Sequence, residues 1–103
     1  MNLARLKRLE QYAEEDPKDP FPRYAIALEW VNNDPKKAAK LFAQLLIDHP
    51  YYLPAYYHAG HLEVISGNLP NAKIILENGI QLARDIGDNK AGAELKGLLE
   101  EIG

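Results

Sequence analysis

The sequence predicts an all-α chain, an antiparallel helix-hairpin solenoid of about six helices, on three observations. Turn-forming clusters at 17–20, 32–35, 49–54, 67–70 and 87–89 cut the chain into six stretches, and none of these alternates as a strand would. Within the stretches, apolar residues recur three and four apart, the spacing of a single helix face. The chain also repeats itself: Ala38 and Ala72, and Phe42 and Leu76, lie 34 residues apart, while Tyr24 and Tyr57, and Ala27 and Gly60, lie 33 apart.

Taken in order, the helices are placed at 2–15, 20–32, 35–48, 53–66, 69–86 and 89–102. Leu3, Leu6, Leu9 and Ala13 form the apolar stripe of the first. The second starts at Asp19-Pro20, where a capping carboxylate precedes a proline whose missing N–H costs nothing in a first turn. Asp34-Pro35 starts the third in the same way, and its stripe is Ala38, Leu41, Phe42, Leu45 and Leu46. The fourth follows the break at His49 to Pro54. Asn68-Leu69-Pro70 opens the fifth, whose stripe is Ala72, Ile75, Leu76, Gly79, Ile80 and Ala83. Gly87 then Asp88 reads as a helix stop followed by a new N-cap, and Ala91, Leu95, Leu98, Leu99 and Ile102 line the sixth. Connections this short join antiparallel neighbours.

A chain of 103 residues holds one domain's worth of core, so 1–103 is read as a single domain. With 47% hydrophobic and 26% charged residues the composition is that of an ordinary globular protein, and no apolar run reaches a membrane span of about 20 residues. Residues 1–8 alternate apolar and basic side chains without the apolar core of a secretory signal, so a cytoplasmic address is expected. There is no cysteine, which removes disulfides and sulfur-ligated metals. A net charge of −3 offers no electrostatic footing for a phosphate backbone, and nucleic acid is disfavoured as a partner. The small cluster Lys36, Lys37 and Lys40 is read as a solvated face.

The repeat carries a pattern. The first unit supplies Ile26-Ala27, Trp30, Ala38, Phe42 and Pro50; the second supplies Tyr56, Ala59-Gly60, Ala72 and Leu76. Two helices per 34-residue period with small residues at the helix crossings resemble the tetratricopeptide repeat family, in the form of a small bacterial-type protein with two repeats. On that resemblance residues 2–15 are the second helix of a degenerate preceding unit, 19–51 the first repeat, 52–86 the second and 87–103 a capping helix. Four positions depart from the pattern: Arg23 in place of a large apolar residue, Glu63 in place of an aromatic, Gly79 in place of Ala and Arg84 in place of a closing Pro.

Catalysis has little to work with. The chain has no Cys and no Thr, and its one Ser, Ser66, adjoins Gly67 in a turn, so no enzyme is expected. His58 and His61 share a helix face at a spacing that can ligate a metal, but no third ligand accompanies them, and neither metal nor cofactor is expected. The resemblance implies instead a concave groove lined by the first helices of the units, holding a peptide or a partner protein's helix. The matching positions are Tyr24, Leu28 and Val31, repeated as Tyr57, His61 and Val64, with Phe21, His58 and Ile65 extending the surface. The carboxylate-gripping Lys, Asn and Arg of the chaperone-binding members are missing from these positions. Use of the same apolar surface for a homodimer is the alternative, and an RNA-binding helical repeat the more remote one, since that function wants a basic groove.

Overall fold

The computed structural model describes all residues 1–103 and contains six helices: α1 (Leu3–Glu15), α2 (Phe21–Trp30), α3 (Pro35–Asp48), α4 (Pro54–Ser66), α5 (Leu69–Ile86) and α6 (Asn89–Glu101). The chain is all-α. It divides into two compact units, Met1–His49 and Pro50–Gly103. No helix is long and apolar enough to cross a membrane.

In the first unit α2 packs against both α1 and α3. Leu6, Leu9, Ala25, Ala27, Ala38, Phe42 and Leu45 are buried, with Ala27, Ala38, Phe42 and Leu45 wholly so. Leu3, counted with the α1 stripe by its spacing, stays 71% exposed; it is the first helical residue, with no preceding turn to carry its side chain onto the inner face. The α2 boundary also differs from the sequence expectation. Asp19 Oδ1 accepts from the Phe21 amide at 3.0 Å, the helix begins at Phe21, and the proline within its first turn is Pro22 rather than Pro20. At its other end α2 stops at Trp30, because the amides of Asn33 (3.2 Å) and Asp34 (2.8 Å) both turn back to the Trp30 carbonyl. Asp34, preceding Pro35, is driven to an extended φ of −151°, as a following proline ring requires. Its carboxylate then caps α3 through the Lys37 amide at 3.1 Å. Lys37 is not simply solvated: its Nζ lies 3.6 Å from the centre of the Trp30 ring, a cation-π contact that covers the indole.

In the second unit α5 packs against both α4 and α6, which also touch each other. Both turns use one device. Gly67 (φ 85°) and Gly87 (φ 77°) take the left-handed conformation that ends a helix, and the amides of Asn68 and Asp88 each reach back five residues, to Glu63 O and Ala83 O at 2.9 Å. The same Asn68 and Asp88 side chains then cap the next helix, through Asn71 N at 3.4 Å and Ala91 N at 3.0 Å. One residue thus closes one helix and opens the next. α5 spans 18 residues against 14 for α3. Pro50 follows the end of α3, whereas its counterpart 34 positions on is Arg84, so nothing halts α5 before Gly87.

Two glycines set how closely these helices approach. A Cβ on Gly60 would fall 2.5 Å from Cδ2 and 2.8 Å from Cγ of the wholly buried Leu76. A Cβ on Gly79 would fall 2.8 Å from Tyr56 Cβ and 3.1 Å from Leu95 Cδ1, so α4 and α6 both close upon α5 at this one point. Tyr56 fills the space above Gly79 and donates its hydroxyl to Pro50 O at 2.7 Å, which satisfies the polar end of a ring only 8% exposed. The register explains two departures together. Positions 23 and 45 of the first unit, the counterparts of Tyr56 and Gly79, hold Arg23 and Leu45: where the first residue is a surface-reaching arginine, bonded to Asp48 Oδ2 at 2.9 Å, the second is a large buried leucine.

Gly79→Ala should therefore destabilise despite its better helix propensity. Overpacking costs about 1–3 kcal/mol against a gain of about 1 kcal/mol. Gly97, mid-helix in α6 with nothing within 4 Å of an added Cβ, should instead gain about 0.5–1 kcal/mol as Ala. Thermal melts followed by circular dichroism should move in opposite directions for the two variants.

Candidate functional site

The residues singled out by spacing fall on α2 and its C-terminal turn in the first unit and on α4 in the second. On α4 the inner face is unambiguous: Ala55, Tyr56, Ala59, Gly60 and Leu62 are buried. A helix that buries these positions must turn Tyr57, His61, Val64 and Ile65, at spacings of four, three and one, to the opposite side. Tyr57 is 37% and Ile65 is 65% exposed; His61 is exposed, and His58 and Val64 are half-buried. The Tyr57 ring stacks on His61 with centroids 6.1 Å apart and planes inclined at 28°, and meets His58 edge-on at 5.8 Å and 86°. Three rings thus form one cluster on a single turn of helix. Burial, and second the charge of neighbouring His61, hold the His58 imidazole below its ordinary pKa. Glu63 is the only Asp, Glu, Lys or Arg on α4, so the face around the rings is nearly free of formal charge.

The α2 positions serve a different purpose in part. Tyr24 is half-buried, its ring 6.1 Å from Phe42 in an edge-to-face contact, and burial raises its phenol pKa. It packs on the core of its own unit. Phe21, 53% exposed, leans on Tyr24 at 6.4 Å and is the outward residue of the pair. Leu28 is half-buried on the helix, while Val31 lies just past the helix end, its amide bonded to Leu28 O at 3.3 Å. Both charged residues of α2 are paired, Arg23 with Asp48 and Glu29 with Arg5 at 3.4 Å. Nowhere do three His, Asp or Glu side chains gather as a metal ion would need.

These helices and their spacing can be set beside known structures. A tetratricopeptide repeat domain protein from Salinibacter ruber, solved as a crystal structure, superimposes with a TM-score of 0.77 at 34% identity, over 82% of this chain and 96% of that one. The chain belongs to the tetratricopeptide repeat family. A solution structure of the Salinibacter ruber domain gives a TM-score of 0.78 at 35% identity, over 84% of this chain and 89% of that one. A solution structure from Bordetella parapertussis gives a TM-score of 0.78 at 20% identity, over 94% of this chain and 85% of that one; at that identity the likeness speaks to the fold alone. No family model and no curated protein matches the sequence. Within the family pattern the small residues at 27, 38, 60 and 72 fall where helices cross, and all are buried.

Sequence spacing brought the α4 residues to one face but could not show that their rings touch, since i, i+1 and i, i+4 neighbours meet only in particular rotamers. It also missed a pocket between α5 and α6 whose one forewarning was Arg84 in place of a proline.

The His58 environment gives a prediction with a definite sign. The folded chain holds this imidazole less basic than the unfolded chain, so unfolding takes up a proton between the depressed folded value and the ordinary value of about 6.5. Stability should fall as pH drops through that window. Melting temperatures from about pH 7.5 to about 5.5 should decline for the wild type and decline less for His58→Gln; identical slopes would remove His58 as the cause.

Proposed function

We propose that this chain is a non-catalytic interaction module that takes a peptide or a partner protein's helix on the outward face of α4, with the α2 positions Phe21, Tyr24, Leu28 and Val31 as the register counterpart in the first unit. One observation carries the reading: the stacked Tyr57–His61 pair stands at the surface of a helix whose opposite side is closed by Gly60 and Leu76. Rings of this kind, apolar in body and polar at the tip, are common binding anchors. The stacking contact restrains both rings in the free chain, which lowers the side-chain entropy to be lost on contact. Family membership supports the same reading, because the repeat is a scaffold for such faces, and it gives no chemistry of its own. Tyr24, held edge-on against Phe42, is the positioning residue of the α2 face, and Phe21 its contact residue.

The test is affinity capture by the wild type and by a Tyr57→Ala/His61→Ala variant, with helicity measured on both. Truncating two anchor rings should weaken capture by at least about tenfold while the helical signal stays. Loss of the fold in the variant would make both rings core residues, and equal capture would move the binding face elsewhere.

A further inference from the structure

Between the last turns of α5 and the first turns of α6 lies a solvent-open pocket of about 220 Å³. Its inner side is apolar: Ala83 is buried, and Ile80 and Gly92 are half-buried. Its outer side carries Arg84 and Lys96, both exposed, with Ala93 and Asp88. Asp88 is committed to capping α6, its Oδ1 accepting from the Ala91 amide at 3.0 Å. Arg84 and Lys96, like most of the chain's basic residues, make no ion pair or side-chain hydrogen bond. Two unpaired cations, with Asp88 and Asn89 beside them, therefore rim a hollow whose inner side is apolar, and one positive charge remains in excess of Asp88. Arg84 stands at the counterpart of Pro50, α5 runs on to Ile86, and Gly92 adds no side chain to the pocket.

We infer that this pocket binds a small amphipathic carboxylate, its apolar body against Ile80, Ala83 and Gly92 and its charge between Arg84 and Lys96. The apolar lining selects for the body. A bare anion would leave it uncovered, and an uncharged body of the same shape would leave both cations unmet. Such a carboxylate can be a free acid or the last residue of a peptide, and the two differ in whether a chain continues from the body.

Isotope-labelled protein titrated with 4-methylpentanoate, 4-methylpentanamide, acetate and N-acetylglycyl-leucine separates the possibilities, read at the Gly92 and Ala93 amide resonances. The inference expects saturable shifts with 4-methylpentanoate, binding weaker by about tenfold for the amide, and no saturation with acetate. Tighter binding of N-acetylglycyl-leucine than of 4-methylpentanoate would identify a peptide end as the source, and the reverse a free acid; either supports the pocket. Arg84→Gln/Lys96→Gln should abolish the shifts. Gly92→Ala should weaken them with the fold intact, since its new Cβ meets only Ala83 Cβ at an ordinary 3.6 Å. Equal binding of acid and amide, equal binding of acetate, or indifference to the double substitution would overturn the inference.

Discussion

The second unit depends on the absence of a single Cβ. At Gly79 the inner helix α5 meets α4 through Tyr56 and α6 through Leu95: an added Cβ would lie 2.8 Å from Tyr56 Cβ, closer than real Cβ atoms come, and 3.1 Å from Leu95 Cδ1, which would have to give way. Interior packing at crystal-like density leaves no slack to absorb a methyl group there. Because α4 is held at that distance, its buried residues are fixed, and with them the identity of its outward ones. Tyr57, His61 and Ile65 face solvent as a consequence of what Tyr56, Gly60 and Leu76 do beneath them. The outward face is thus the remainder left by a packing solution.

The two hairpins differ at matching register. In the second, Tyr56 fills the space that Gly79 leaves open; in the first, Arg23 turns to the surface and Leu45 is the buried side chain. The difference reaches the surface. Tyr56 ties its hydroxyl to Pro50 O, whereas Arg23 reaches Asp48, where its guanidinium and the Gln44 amide hold the Asp48 carboxyl below its ordinary pKa. An exposed ion pair of this kind adds little stability. Its larger consequence is that Arg23 is neutralised on its own unit and lends α2 no net charge.

The elements were legible because local chemistry announced them. Asp34, Asn68, Asp88, Gly67 and Gly87 do at each helix end what their side chains and backbone freedom suit them for. The start of α2 is ambiguous in the sequence because two prolines, Pro20 and Pro22, both suit a first turn, and only the Asp19 bond to Phe21 decides between them. Burial was legible as a period and not as a list: Leu3 obeys the spacing and remains exposed, since it has no preceding helical turn to lie over. The four departures from the repeat pattern could each be seen, but their meaning could not. Gly79 is explained only by Tyr56 and Leu95, and Arg84 only by the length of α5, both facts of three dimensions.

The same distinction separates the two surfaces chemically. On α4 a single Glu63 accompanies three aromatic rings and two aliphatic side chains, so a ligand there gains chiefly from apolar area and ring contact, energies that salt does not screen. At the α5–α6 pocket two unpaired cations outnumber the one carboxylate, Asp88, around a hollow with an apolar inner side, and attraction to an anion there is weakened by salt. One face is suited to the side of a chain and the other to a charge with a short apolar body. The two surfaces share one packing constraint, since Tyr56 of α4 and Leu95 of α6 both lie against Gly79 of α5.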